Sequence, residues 1–204
     1  MDSDSYQFSE KAAGAKAPLF LVFHGTGGDE NQFFSLAHDL LPNAHVISLR
    51  GDVSEHGALR FFKRAGEGIY DMEDLALRTV KMATFIMQQK RRLNPSRVVG
   101  LGYSNGANIL ASVMFSHAKM FDDSILMHPL IPFQPKPNPG LVSSRILITA
   151  GEYDPICPVP ATRALIDYFR QQGSNVTDVW HNGGHELRPT EIDAVREFLK
   201  DCSK

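Results

Sequence analysis

Six short, mostly apolar runs alternate with segments whose apolar residues recur at helical spacing. Nothing else in the chain constrains its fold as strongly. The runs are Leu19–Phe23, His45–Leu49, Arg97–Leu101, Ser124–Met127, Arg145–Thr149 and Val176–Trp180. Runs of this length, rich in Val, Ile, Leu and Phe, read as strands covered on both faces. Tyr6–Ser9 reads as one more strand, joined to the next by a turn around Ala13-Gly14, which would make it an antiparallel edge.

Between the runs, Asp29 is placed to cap a helix carrying Phe33, Leu36 and Leu40 and ending before Pro42. Asp71 is placed to cap a longer one with Met72, Leu75, Thr79, Met82, Ala83 and Ile86 on one face, stopped near Asn94-Pro95. Asn105–His117 and Ala161–Gln172 are further helices, and Thr190-Glu191-Ile192-Asp193 resembles a capping box. Strand–helix alternation of this kind implies an α/β fold: a mostly parallel central sheet with helices on both faces. The chain has no internal repeat, long linker or low-complexity run, so residues 1–204 read as a single domain. A domain of that size buries roughly 70% of its unfolded surface, enough for one core. Two stretches break the rhythm, Arg50–Gly68 and the proline-rich Pro129–Ser144. Both leave the carboxyl ends of strands, where loops wall the ligand crevice of an open α/β sheet.

Composition excludes several classes. With 21 Lys+Arg against 23 Asp+Glu the net charge is −2, without the basic field a nucleic-acid binder needs. No apolar stretch approaches the roughly 20 residues of a membrane span. Met1-Asp2-Ser3-Asp4-Ser5 is acidic where a signal peptide is basic and then apolar. Cys157 and Cys202 alone cannot make a disulfide framework or a CxxC metal site. The expectation is a cytoplasmic protein with reduced thiols.

Gly102-Tyr103-Ser104-Asn105-Gly106 matches G-x-S-x-G, the nucleophile elbow. Five residues alone are a weak signal, but this match lies between a strand run and a helix-compatible segment, as the motif requires. Ser104 would stand in a strained turn at a helix N-terminus, whose dipole favours developing negative charge. A serine hydroxyl needs a base, and the base an orienting acid. Asp154 follows the run Arg145–Thr149, and His185 follows Val176–Trp180 after Gly183-Gly184, giving the order Ser, Asp, His. His181 is the rival base and Glu152 the rival acid. The oxyanion donors would be the backbone N–H groups of Asn105 and Thr26, the latter in His24-Gly25-Thr26-Gly27-Gly28. That glycine-rich loop also invites a phosphate-cradle reading, but it lacks the P-loop lysine and the G-x-G-x-x-G spacing. His24 reads as a loop-structuring residue, His128 as lining the site or bonding a loop, and Cys157 as a small buried hydrophobe. Phe61, Phe62, Leu130, Ile131 and Phe133 are candidate apolar walls for substrate. No His/Cys/carboxylate group has metal-ligand spacing along the chain, so no metal or other cofactor is expected.

These pieces together resemble the phospholipase/carboxylesterase family of α/β-hydrolases, which includes acyl-protein thioesterases and small bacterial carboxylesterases, and most of all its methylhydroquinone-resistance-type branch. The resemblance rests on Phe23–Glu30, Arg50-Gly51, Arg60-Phe61-Phe62, Gly102–Gly106, Gly151–Pro155 and Gly183-Gly184-His185, in the family's order over most of the chain. It implies an α/β-hydrolase fold without a large cap domain, a Ser104–Asp154–His185 triad, and the homodimers that family members often form. Cys157 stands where similar proteins often carry a branched aliphatic residue, and the Pro129–Gly140 wall departs from the pattern. The expected activity is hydrolysis of small carboxylic esters. A thioesterase or lysophospholipase would use the same machinery, and a hydrolase-fold receptor without turnover is the reading from another class.

Overall fold

The structure is a computed structural model that describes residues 5–200. The acidic start Met1–Asp4 and Cys202 lie outside the described residues. Seven strands form one sheet: β1 (Phe8–Lys11), β2 (Leu19–Phe23), β3 (His45–Leu49), β8 (Val98–Tyr103), β9 (Asp123–Met127), β10 (Arg145–Gly151) and β11 (Asn175–His181). Their order is β1-β3-β2-β8-β9-β10-β11, with β1 antiparallel to β3 and all other pairs parallel. The first strand is thus the antiparallel edge, but it pairs with the second strand after it instead of forming a hairpin with the next.

Alternate residues of the central strands feed two cores, as period-2 geometry requires. Leu19, Leu21 and Phe23 point into one, while Phe20 and Val22 point into the other. The first core is covered by α2 (Met72–Leu93), α3 (Asn105–Ser116) and α4 (Val159–Gln171), the second by α1 (Phe34–Leu40) and α5 (Pro189–Leu199). Asp71 caps α2 by accepting from Asp74 N at 3.0 Å, and Asn94 ends it in the left-handed region at φ 45°.

Two expected caps are corrected. Asp29 makes a local turn, accepting from Asn31 N at 2.8 Å, and α1 begins only at Phe34. Helix α5 starts at Pro189, so Arg188 is its N-cap and Thr190 is already inside; Glu191, at the third helical position, accepts from Arg188 N at 2.7 Å.

The stretch 50–68 is not an irregular loop. It folds into two small hairpins, β4 (Val53–Glu55) with β5 (Ala58–Arg60), and β6 (Arg64–Gly66) with β7 (Ile69–Tyr70). The first turns on His56 and Gly57, both at positive φ (51° and 91°), as a two-residue hairpin loop of type I′ demands. Pro129–Ser144 is irregular apart from one short 3₁₀ turn, Pro139–Leu141. No helix among the described residues is long and apolar enough to cross a membrane.

Candidate active site

Ser104 sits between β8 and α3 at φ 52°, ψ −116°. A non-glycine residue there costs on the order of 1–3 kcal/mol, and the fold holds it by bonding Ser104 N to Met127 O at 2.9 Å on the neighbouring strand. The serine Oγ is thereby lifted out of the turn. His185 Nε2 lies 2.9 Å from it, and His185 Nδ1 lies 2.7 Å from Asp154 Oδ2. With Nδ1–H donating to Asp154, Nε2 is left as the acceptor facing the serine hydroxyl, a tautomer inferred from the bonding pattern.

The loop carrying His185 is tied down by Tyr103 and by the segment that precedes Asp154. Tyr103 donates its hydroxyl to His185 O at 2.6 Å, and the two rings lie 5.4 Å apart. Burial, then the nearby Asp154 and Glu191 charges, push the Tyr103 hydroxyl up to about 12, so it remains a donor. Tyr153 N bonds Gly183 O at 2.8 Å, and Glu152 N bonds His181 O at 2.9 Å. Glu152 itself is exposed.

Asp154, 5% exposed, accepts from Ile156 N at 2.8 Å and Cys157 N at 2.9 Å through Oδ1. Its Oδ2 is shared between His185 Nδ1 and His128 Nδ1, the latter at 2.9 Å. His128 then reaches Glu191 Oε1 at 3.0 Å through Nε2. Burial alone would raise the Asp154 and Glu191 carboxyls, but the hydrogen bonds outweigh it and hold both below their ordinary range. Burial likewise opposes charge on His128, and the bonds to Glu191 and Asp154 overcome it and raise this imidazole. Sequence reasoning gave His128 a bystander's role and treated Glu191 only as a helix cap.

These shifts imply a pH dependence of stability. A carboxylate depressed in the native state stabilises above its unfolded value, about 4, and that contribution is lost as pH falls through the native value. A raised histidine stabilises below its unfolded value, about 6.5, and that contribution is lost as pH rises through the native value. The network therefore contributes most in mildly acidic solution, between these two ordinary values. Thermal melts across pH should show the Glu191→Gln variant losing most stability in that window. A difference from the unmutated protein that stays flat with pH would contradict the assignment.

A cavity of about 220 Å³ opens at Ser104, with Thr26, Asn105 and His185 around the serine and Arg60, Tyr70, Leu130 and Ile156 among the farther walls. Asn105 opens α3, where backbone N–H groups lack helical partners. Its side chain serves the scaffold, accepting from Phe61 N at 2.7 Å. Thr26 Oγ1 accepts from Arg60 at 2.9 Å, and Gly27 N bonds Leu59 O at 2.9 Å, so the first hairpin braces the glycine-rich loop. His24 is loop-structuring as expected: it contacts Gly25 O at 2.6 Å and accepts from Gly51 N at 2.8 Å.

Of the expected apolar walls, only Leu130 lines this cavity. Phe61 and Phe62 are completely buried and Ile131 is 7% exposed, all three within the first core. Phe133 lines a separate surface groove beside α2. Cys157 is buried, its thiol pushed up by desolvation and by the Asp154 charge, and it touches the cavity wall without thiolate character.

The rival base His181 turns its Nε2 to Glu191 Oε2 at 3.2 Å and to His128 Nε2 at 3.4 Å, while His185 holds the contact to Ser104. The fold also gathers donors that linear spacing could not reveal, His128 with His181 and Glu191, and His128 with Asp154 and His185. Their facing atoms are already committed to one another by the hydrogen bonds above.

Residues 49–188 match the dienelactone hydrolase family. Over 191 residues, 93% of this chain and 96% of the relative, the sequence is 38% identical to the putative hydrolase MhqD of Bacillus subtilis (strain 168). Among solved structures, the Agrobacterium tumefaciens str. C58 protein Atu2452 superposes with a TM-score of 0.93 at 55% identity, covering 98% of each chain. A Bacillus cereus carboxylesterase superposes at 0.90 with 33% identity, covering 98% of this chain and 96% of its own.

Proposed function

Because this chain belongs to the dienelactone hydrolase family and is a hydrolase of the carboxylesterase kind, we propose that it cleaves carboxylic esters of small substrates through an acyl-enzyme on Ser104. The observation that carries this reading is one imidazole, His185, bridging the strained Ser104 at 2.9 Å and the buried Asp154 at 2.7 Å. His185 Nε2 takes the Ser104 proton as Oγ attacks the acyl carbon. The oxyanion forms against the N–H groups of Thr26 and Asn105, collapse expels the alcohol with the proton returned from His185, and water then releases the acid by the same steps. Asp154 stays ionised and stabilises the imidazolium in between. Thioester hydrolysis runs on the same atoms.

A fluorophosphonate probe followed by a multiple-turnover assay on an activated short ester tests the proposal. Labelling and turnover, both lost in Ser104→Ala, are expected. Labelling without turnover on any ester class would move the protein to the non-catalytic receptor reading. We place the enzyme in the cytoplasm as a single catalytic unit, its partner a small ester, with no nucleic acid. Sedimentation decides whether it forms the homodimer its resemblance implies.

The cavity sets an expectation for chain length. Each methylene buried adds about 0.8 kcal/mol, roughly fourfold in kcat/KM, only until the space is filled. Its wall includes Arg60 and Arg64, and Gly68 beyond them, so a long tail would leave apolar contact early. Over a series of acyl esters kcat/KM should peak at short to medium chains. Steady improvement out to palmitoyl esters would reject the small-pocket reading and favour a lipid or acyl-protein substrate.

A further inference from the structure

On the side of Asp154 away from Ser104 lies a buried polar chain that a three-residue mechanism leaves unused. His128 directly follows β9 with φ 50°, a positive value like that of Ser104, and its side chain is wholly inaccessible. One ring nitrogen meets Asp154 Oδ2 at 2.9 Å, the other Glu191 Oε1 at 3.0 Å. Glu191 is also wholly inaccessible and is held by Thr149 Oγ1 at 2.6 Å, Arg188 N at 2.7 Å and His181 Nε2 at 3.2 Å.

A neutral imidazole has one N–H, so its other nitrogen would turn a lone pair toward a carboxylate oxygen at hydrogen-bond distance. Protonating a carboxyl instead is disfavoured, because each of the four oxygens already accepts from a donor other than His128. Asp154 Oδ1 takes Ile156 N and Cys157 N, Asp154 Oδ2 takes His185, Glu191 Oε1 takes Thr149, and Glu191 Oε2 takes Arg188 N. A doubly protonated ring satisfies both ends while leaving both carboxylates ionised.

We propose that His128 and Glu191 are positioning residues for the reaction, a buried imidazolium anchored by Glu191 that clamps Asp154 Oδ2 toward His185. This rests on the hydrolase reading of Ser104. The remaining groups around the ring are Tyr103 from β8, whose ring is 5.9 Å away, His181 from β11, whose Nε2 lies 3.4 Å from His128 Nε2 and can accept from a protonated His128, His185, whose ring is 5.1 Å away, and Cys157, whose Sγ donates to His128 O at 3.2 Å. None of these adds a second carboxylate or a fixed cation. The cation beside Asp154 partly neutralises the carboxylate on which His185 leans. It therefore favours the proton-accepting form of the base and carries activity to lower pH.

The test combines nitrogen-15 NMR of histidine-labelled protein with the pH profile of kcat/KM in the unmutated enzyme and in Glu191→Gln. In the unmutated protein the His128 ring should carry protons on both nitrogens through neutral pH. In Glu191→Gln it should drop to one, with the acid limb of kcat/KM moving to higher pH by about one unit, the low end of shifts produced by a neighbouring charge. The plateau kcat should fall by less than about tenfold, since Ser104, His185 and Asp154 remain. A singly protonated His128 in the unmutated protein overturns the proposal, and that measurement stands even if Glu191→Gln fails to fold. A folded Glu191→Gln variant with an unmoved acid limb also overturns it, leaving only a structural role. Absence of fluorophosphonate labelling at Ser104 would refute the hydrolase reading separately, while the NMR result still decides the charge on His128.

Discussion

Ser104→Ala and His185→Ala are each expected to lower kcat by at least about 10³-fold, as loss of a nucleophile or its base does elsewhere. In the first variant no oxygen stands where His185 Nε2 now faces Ser104 Oγ at 2.9 Å. In the second the hydroxyl keeps its proton. Asp154→Asn should lose about 10³- to 10⁴-fold, because its amide would present N–H to one of two imidazole N–H groups or force His185 into the wrong tautomer. His181→Ala is the discriminating control. Its ring contacts Glu191 and not Ser104, so its effect should stay within about tenfold. Steady-state kinetics on folded variants, checked by circular dichroism, decide the matter. A silent His181→Ala beside an active His185→Ala would reverse the base assignment.

What could be read along the chain was whatever is encoded locally. The strand runs, the Asp71 cap, the Gly102–Gly106 turn and the glycine pair before His185 each announce themselves within five or six residues. Even so, a local signal misleads when a residue serves two purposes. Glu191 satisfies a helix-start pattern completely, and its second role depends on Thr149 and His128, 42 and 63 residues away. His128 has no signature beyond the proline after it, because its meaning lies in the two carboxylates the fold delivers to its ring. Phe61 and Phe62 failed as expected walls for a different reason. An aromatic pair in a presumed loop can face a cavity or the core, and the two flanking hairpins decide for the core. His56-Gly57 was the available clue, a glycine in a two-residue link that the structure puts at positive φ between Val53–Glu55 and Ala58–Arg60.

At the glycines of the elbow sequence pattern and packing coincide, and Gly106→Ala should damage the fold severely. A Cβ at Gly106 would lie 2.4 Å from Phe23 O and 2.5 Å from His24 O, and one at Gly102 would lie 2.5 Å from Gly106 O. All three obstacles are backbone atoms of β2, the loop after it, and α3, so no side chain can rotate aside. Relief requires α3 to move off the sheet, and that displaces Ser104, its N-cap, together with Asn105 at its first turn. Overpacking a core by a methylene costs typically 1–3 kcal/mol, and this site stands at or beyond the upper end. A loss of about 3 kcal/mol lowers Tm by roughly 6–12 °C in a chain of this length. Gly14→Ala is the matched control, because a Cβ there meets nothing within 4 Å. It should leave Tm unchanged or raise it slightly through a less flexible unfolded chain. Differential scanning calorimetry on the pair measures both. Equal Tm values for Gly106→Ala and Gly14→Ala would show that α3 can retreat from β2 and β8 at little cost, and that the elbow does not owe its geometry to this contact.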